Sequence, residues 1–530
     1  LKEFTERNRE FWGRFTPRQG GGKVLVEEPT SPAITHANGI LTVVLNQAKA
    51  VTPVWLENRD WDVSLLRSYV PSAQIVSLSR IFPLTKLRMA LVAFAGYLKA
   101  FVTGNILGFS YDGVRYGDIV YDTYLQQEQV ATIRRIGFRI AYYMYGCIRR
   151  HELVHRTLRA DDYAAVLVAH QVGIAAGVMM RTALRYGCPV YLCKGHHQIA
   201  VRYYEALDEI YEYEARPSEE DIDRVLASLG PRLDEVYGSV LQKQVSGAGT
   251  ADGEFAFARD NRYYTDRESF ARDFGLEPEK RNVFVMLHAF NDFPHSHFRK
   301  MLFRDYYDWF IRTLRFASGN SRVNWIFKQH PSVRFYPARD VSFTDLFRRQ
   351  PGNIVYLGEE TRIDTRSLVH CADLVVTCLG SPGFELPAMG GIPSVTAGDS
   401  FYTGLGFTLE PGTKQEYFEL LRDADTVEKL TPEQQQRARA AFICIYHYLR
   451  VPLTACPVLS MAELKDPEIA EWYWDKVLYQ YGAEKEKIFL EIEVYLRQIA
   501  GAEFKRLTSQ DANWSGPSEG VNLSRVKRGG

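Results

Sequence analysis

The segment CIRRHELVHRTL, residues 147–158, sets His151, Glu152 and His155 in the spacing His-Glu-x-x-His. On a helix the two histidines share one face, where they could grip zinc with the glutamate as general base. The surrounding residues argue against that chemistry. A zincin takes a third ligand from downstream, but RTLRADD follows His155 and no Glu lies between Glu152 and Glu205. Arg149, Arg150 and Arg156 would also repel a cation. The pair is expected on an amphipathic, partly exposed helix, and a zinc hydrolase stays only as a rival reading. Asp-x-Asp spacings occur in RDWD (Asp60, Asp62), DID and DAD. None follows an apolar strand, so all three read as solvated charges.

Other reactive residue types fall just beyond apolar runs in the second half of the chain. NVFVMLHAF leads into His288, Asn291, Asp292, His295 and His297. Their spacing matches no zinc pattern, which favours contact with phosphate or sugar. RVNWIF leads into Lys328, His330 and Pro331, and DLVVTCL leads into Gly380, Ser381, Pro382 and Gly383. Small residues before a helix allow an anion to approach backbone N–H groups at the positive end of the helix dipole. Pro382 suits the first helical turn, where no N–H is needed. Ser381 adds a hydroxyl, and Glu385, one turn further in, could hold ribose hydroxyls.

In the first half, SYDGVRYGDIVYDTYLQQEQ concentrates Asp112, Asp118, Asp122 and Glu128 among tyrosines and glycines. A sugar hydroxyl attacking an anomeric carbon needs a proton acceptor. Asp122, flanked by Tyr121 and Tyr124 as stacking surface, is the first candidate, with Asp118 beside it. His170, ending the run AAVLVAH, is held in reserve. The bland reading of the segment is a capped helix start.

These residues need elements to position them. AAVLVAH, GIAAGVMMRTALRYG and PVYLC read as strand, helix and strand, after a helix over residues 142–159. The second half alternates similarly: strands NVFVMLHAF, RVNWIFKQHP, NIVYLG, DLVVTCL and IPSVTAG are separated by helical stretches such as FRDYYDWFIRTLRFAS and FELPAMG. Strand–helix alternation predicts parallel sheets, which bind ligands beyond the carboxyl ends of their strands. The chain is therefore expected to be α/β, with two Rossmann-like domains facing a cleft and a C-terminal helical region. The expected boundaries are 1–255 for an N-terminal acceptor domain and 256–430 for a C-terminal donor domain. Helices over 431–507 would pack across both, and 508–530 forms a polar, disordered tail. A Gly/Ala/Ser-rich stretch, residues 243–255, reads as the linker.

With 530 residues, 46% apolar and 24% charged, the chain can bury a large core. Lys+Arg and Asp+Glu are each 64, so no global field selects nucleic acid. Seven cysteines without a CxxC pair read as idle thiols in a reducing compartment. Nothing resembles a signal peptide, and a cytoplasmic location is expected. The apolar segment KLRMALVAFAGYLKAFVTG is interrupted by Lys99 and too short to span a bilayer. A buried helix is the first expectation for it. The second is a basic amphipathic surface resting on the inner face of the cytoplasmic membrane.

The block IFKQHPS…NIVYLGEET…DLVVTCLGSPGFELPAMGGIPSVTAG resembles the donor-binding half of GT-B glycosyltransferases. It is most similar in kind to bacterial capsule and surface-polysaccharide transferases, including the Kdo-transferase-like group with a His-Pro motif. The resemblance spans about residues 280–420, with a weaker echo in GVRYGDIVYDTYL. It implies that His330 and Ser381 hold the donor phosphate and that Glu385 meets the nucleotide ribose. Ser-Pro stands where that group has a Ser/Thr pair. It further implies a metal-independent enzyme with no cofactor, whose substrates are a nucleotide sugar, such as a CMP-linked ulosonic acid, and a glycan or lipid-linked acceptor. The rival of another class is a non-catalytic sugar- or nucleotide-binding protein.

Overall fold

The computed structural model describes residues 1–78, 81–246, 261–297 and 300–509. In the first half, β1 (Lys23–Val26), β2 (Thr52–Leu56), β3 (Gln74–Val76), β4 (Tyr163–Val168), β5 (Val190–Gly195) and β6 (Gln198–Tyr204) share one sheet. The second sheet comprises β7 (Asn282–Met286), β8 (Asn324–Lys328), β9 (Ile354–Leu357), β10 (Leu374–Thr377) and β11 (Ser394–Thr396). Late in the chain, β12 (Val451–Pro452) returns to pair antiparallel with β6.

The second sheet is parallel throughout, in the order β9–β8–β7–β10–β11. The first runs β12–β6–β5–β4–β1–β2–β3, with β1 to β5 mutually parallel and β6 reversed. Both therefore contain the doubly wound order in which the chain steps outward from its first strand, then restarts on the other side. Strands buried on both faces read as unbroken apolar runs, which explains NVFVM and LVVT. Two Rossmann-like units with facing strand ends give the GT-B-like arrangement expected from the sequence.

The helices used below are α1 (Lys2–Trp12), α2 (Pro32–Lys49), α3 (Pro83–Thr103), α4 (Gly117–Glu128), α5 (Arg139–Arg159), α6 (Val178–Arg185), α7 (Glu219–Leu229), α8 (Leu233–Val245), α9 (Tyr306–Ser318), α10 (Pro382–Gly390), α11 (Pro432–Ile443), α12 (Ile469–Ala483) and α13 (Lys485–Ala500). Ser31 caps α2 by accepting the Ile34 N–H, and Pro32 occupies its first turn. The C-terminal region packs against both units. Tyr473 of α12 and Ile492 of α13 join Trp12, Val44 and Trp55 in the core of the first unit. Phe442 of α11 packs instead with Phe384 of α10 and Tyr237 of α8.

Of the linker stretch, residues 243–245 belong to α8, whereas residues 247–255 and the boundary at 255/256 lie outside the described residues. The tail expectation likewise falls outside them, except that Thr508 exchanges hydrogen bonds with the Gln498 side chain. One expectation is corrected. The apolar segment of residues 86–104 is not a buried helix: α3 buries only Met89, Ala93 and Ala100, and leaves a leucine-rich face in solvent. Among the described residues no helix is long and apolar enough to cross a membrane.

Candidate functional site

Each sheet builds the same device where its winding reverses. In the first unit Glu27 follows β1 and Ala169 follows β4, and the Ala169 N–H donates to Glu27 Oε1 at 2.9 Å. In the second unit His288 follows β7, and its Nε2 accepts the Leu379 N–H beyond β10 at 3.2 Å. The two points of reversal open on one cavity of ≈ 950 Å³. Glu27, His170 and Lys194 line it from the first unit; His288, Lys328, His330, Ser381 and Glu385 line it from the second.

The second-unit wall has the composition of an anion site. Lys328 ends β8, and burial pulls its ammonium down to about 8. His330 and Pro331 follow it, with Pro331 opening a short 3-10 turn. Opposite, Gly380, Ser381 and Pro382 bring the amino end of α10 to the cavity. Burial holds the His288 imidazole neutral, down to about 3, with the nearby His330 acting in the same direction. A neutral ring is what the Leu379 N–H requires as acceptor. His288 also stacks on Tyr306 with centroids 4.2 Å apart. Its role is to brace the turn that carries Ser381. Glu385 accepts a hydrogen bond from Tyr446 at 2.5 Å, and Asp292 lines the cavity too.

Gly383 contributes by absence. A Cβ there would lie 2.1 Å from the Tyr402 hydroxyl. That hydroxyl donates to the Gly380 carbonyl at 2.7 Å, so the glycine lets a buried tyrosine shape the turn. Gly383 itself does not line the cavity and is corrected from a ligand contact to a packing position.

The proposed bases need larger corrections. Asp118 is fully buried and forms a two-pronged ion pair with Arg181 at 2.7 and 2.9 Å. Burial would raise its carboxyl, but Arg181, Tyr211 and Arg115 together outweigh burial and hold it below its ordinary value. Asp122 is also buried, and its Oδ2 accepts the His295 N–H, the Ser296 N–H and the Ser296 hydroxyl at 3.0, 2.7 and 2.5 Å. Burial, partly offset by these bonds, pushes its carboxyl up to about 8. Neither aspartate lines the cavity. Asp122 ties α4 to the loop after β7, and Tyr121 adds a second tie by donating to Asp305 at 2.6 Å. Through Asp122 and Tyr121 the acidic, aromatic segment forms an interface between the units, while Thr123, Gln126 and Gln127 of the same helix line the cavity. Asn291 and His295 lie on the same interface loop, away from the cavity lining: Asn291 donates to the Pro337 carbonyl, and His295 packs edge-on against Tyr121.

His170 does line the cavity. Burial lowers its imidazole to about 4, with Lys194 adding to the effect. The carboxylate that sequence reasoning missed is Glu27. Burial pushes it up to about 8 against the pull of the Ala169 N–H. Asn38 and Ala169 both bond Oε1, which leaves Oε2 for a hydroxyl in the cavity. The signal was KVLVEEP, a short apolar run ending in a carboxylate, the same pattern that singled out His288 and His330. Lys194, paired with buried Glu214 at 3.2 Å, is the last residue but one of β5.

The His-Glu-x-x-His helix, α5, is occupied otherwise. His151 is buried and shares hydrogen bonds with Tyr116 at 2.7 Å and Tyr186 at 3.4 Å. Asp112, in the hairpin turn of SYDGVR, accepts from Tyr186 at 2.7 Å, and His155 stacks on Tyr186 at 3.7 Å. Glu152 accepts from Tyr111 at 2.5 Å. Among the described residues no group of three His, Cys, Asp or Glu side chains is placed to hold a metal ion.

No protein-family model matches the chain, and no curated protein does either. Solved structures of similar shape include the β-Kdo 2,4 transferase KpsC of Thermosulfurimonas dismutans, at 12% identity and TM-score 0.29, covering 54% of this chain and 80% of that one. A glycosyltransferase of kitacinnamycin aligns at 12% identity and TM-score 0.23, covering 90% of this chain and 98% of that one. The wall teichoic acid polymerase TagF aligns at 9% identity and TM-score 0.22, covering 90% and 95%. At such identities the function has to be argued from the site itself.

Proposed function

We propose that this chain is a metal-independent glycosyltransferase that moves a sugar from a nucleotide-activated donor to a glycan or lipid-linked acceptor in bacterial surface-polysaccharide assembly. The observation that carries the reading is the pairing of two points of reversal across one cavity, one cationic and one carrying a buried carboxylate. The second unit takes the donor. Lys328, His330, Ser381 and the amino end of α10 offset the charge that grows on the leaving phosphate. Glu385, steadied by Tyr446, faces the ribose. A CMP-linked ulosonic acid is the donor class that the sequence resemblance favours.

The first unit takes the acceptor, with Glu27 as the base and His170 beside it. The acceptor oxygen bonds the anomeric carbon while its proton passes to Glu27 Oε2. The bond from that carbon to the phosphate oxygen breaks, and the nucleotide leaves with the electron pair. A base ionising near working pH is the efficient one, which favours Glu27 over a histidine held at about 4. The test is a panel of nucleotides and nucleotide sugars scored by thermal shift, then by turnover in the presence of chelator. A donor that raises the melting temperature and turns over without added metal is expected. A chain stabilised by no member of the panel would refute the reading.

A further inference from the structure

The leucine-rich face of α3 has no partner among the described residues. Leu84, Leu87, Leu91, Phe94, Leu98 and Phe101 recur at intervals of three and four, a single stripe along the helix. These are exposed side chains: Leu84 is 80% exposed, Leu91 61% and Phe101 60%. On the opposite face Met89, Ala93, Gly96 and Ala100 are small or buried, and a Cβ on Gly96 would lie 2.7 Å from the Phe109 ring. The helix thus lies close on the body of the first unit, and its orientation is fixed by packing. The stripe continues onto the start of α5, where exposed Phe138 meets Phe94 and Tyr97 with ring centroids 6.3 and 5.7 Å apart. Soluble monomers rarely show a contiguous apolar face of this extent unless something covers it.

Charge selects the occupant. α3 carries Lys86, Arg88 and Lys99, all exposed, and no Asp or Glu from Pro83 to Thr103. Arg135, in the loop leading to α5, is exposed as well. The neighbouring carboxylate, Glu128, is taken up by Arg139 at 2.9 Å and Tyr143 at 2.8 Å. A second copy docking on this stripe would set these cations against their own counterparts, with no carboxylate on the helix to pair them. An anionic lipid surface matches both features, because apolar side chains enter the acyl boundary while Lys and Arg stay among the phosphates. The helix is interrupted by charge and is not a membrane span, so it would lie in the interface plane.

We infer that α3, with Phe138, is a membrane-docking face that seats the first unit on an anionic bilayer surface. The inference stands apart from the glycosyl-transfer reading, since it uses no residue of the cavity. The test is co-sedimentation of the full chain with vesicles of phosphatidylglycerol and phosphatidylethanolamine, against vesicles of phosphatidylcholine alone. Binding to the anionic vesicles is expected, with partitioning falling about tenfold or more on phosphatidylcholine or in high salt. The triple variant Leu87→Ser, Leu91→Ser, Phe94→Ser should lose about tenfold in partitioning. Lys86→Glu with Lys99→Glu should do the same, and this second variant decides the matter if the first misfolds. Absence of wild-type binding to anionic vesicles would overturn the inference, as would undiminished binding in the charge variant. A dimer in sedimentation velocity that dissociates in the triple variant, with vesicles unbound, would overturn it in favour of a second copy.

Discussion

Replacing Glu27 by Gln separates catalysis from stability in opposite directions. Glutamine keeps the shape and can still accept the Ala169 N–H through its carbonyl, but it cannot take a proton from an acceptor hydroxyl. Loss of a positioned base should lower turnover by about 10²–10⁴-fold. The same substitution should stabilise the fold. A carboxyl that ionises at 4.5 in the unfolded chain and at about 8 in the folded one holds its proton more tightly in the native state. Stability from this group is therefore undiminished below pH 4.5 and falls as pH rises from 4.5 to 8. By then the buried charge costs about 5 kcal/mol, at about 1.4 kcal/mol per tenfold in proton affinity. Burial is the largest cause, Glu28 adds repulsion, and Arg150, Asn38 and the Ala169 N–H oppose it. Glu27→Gln removes that cost, so its melting temperature should exceed the parent's, and by more at pH 8.5 than at pH 5. Parental kcat/KM should rise with pH toward about 8. The assays are turnover of the best donor from pH 5.5 to 9 and differential scanning calorimetry over the same range. Turnover within threefold of the parent, or a melting temperature lowered equally at both pH values, would refute the reasoning.

Two further substitutions test the donor wall. His330→Ala and Glu385→Ala should each weaken nucleotide binding by about 10–150-fold, the range for losing a hydrogen bond to a charged group, at unchanged melting temperature. Isothermal titration against the parent measures this, and parental affinity in both variants would remove these residues from the site. Gly383→Ala forces the buried Tyr402 off the Gly380 carbonyl. It should destabilise the fold by about 1–3 kcal/mol in denaturant titration and weaken the nucleotide as well, because the turn moves with it. Parental stability would show that the turn does not depend on this contact.

The second unit was legible because its strands are buried on both faces and end abruptly in reactive side chains, so that Lys328, His330 and Ser381 could be read from their place after an apolar run. The first unit hid its opening strands. KVLV is only four residues long, and α2 is buried from Thr35 to Asn46, which removes the amphipathic stripe that marks a helix. Ser31-Pro32 was its one local signal. The buried position of Asp122 is hidden in the sequence for a different reason. Carboxylates among tyrosines suit a sugar site, but they equally suit an interface where Asp122 and Asp305 must be satisfied by N–H and O–H donors. Composition cannot tell these apart; only the pairing of Asp122 with Ser296, far away in sequence, does so.

The return of β12, α12 and α13 to the first unit makes the second unit an insertion within the first. Synthesis from the amino end then inverts the usual order of domain completion. β6 emerges with one edge unpaired, and α2 emerges without the helices that cover it. About 250 residues must follow before Val451 arrives, roughly 10–50 s at ordinary elongation rates. Through that interval the inserted unit can finish folding while the unit that encloses it waits with an apolar flank and an open strand edge. The nascent chain therefore has a defined window in which a chaperone has something to hold.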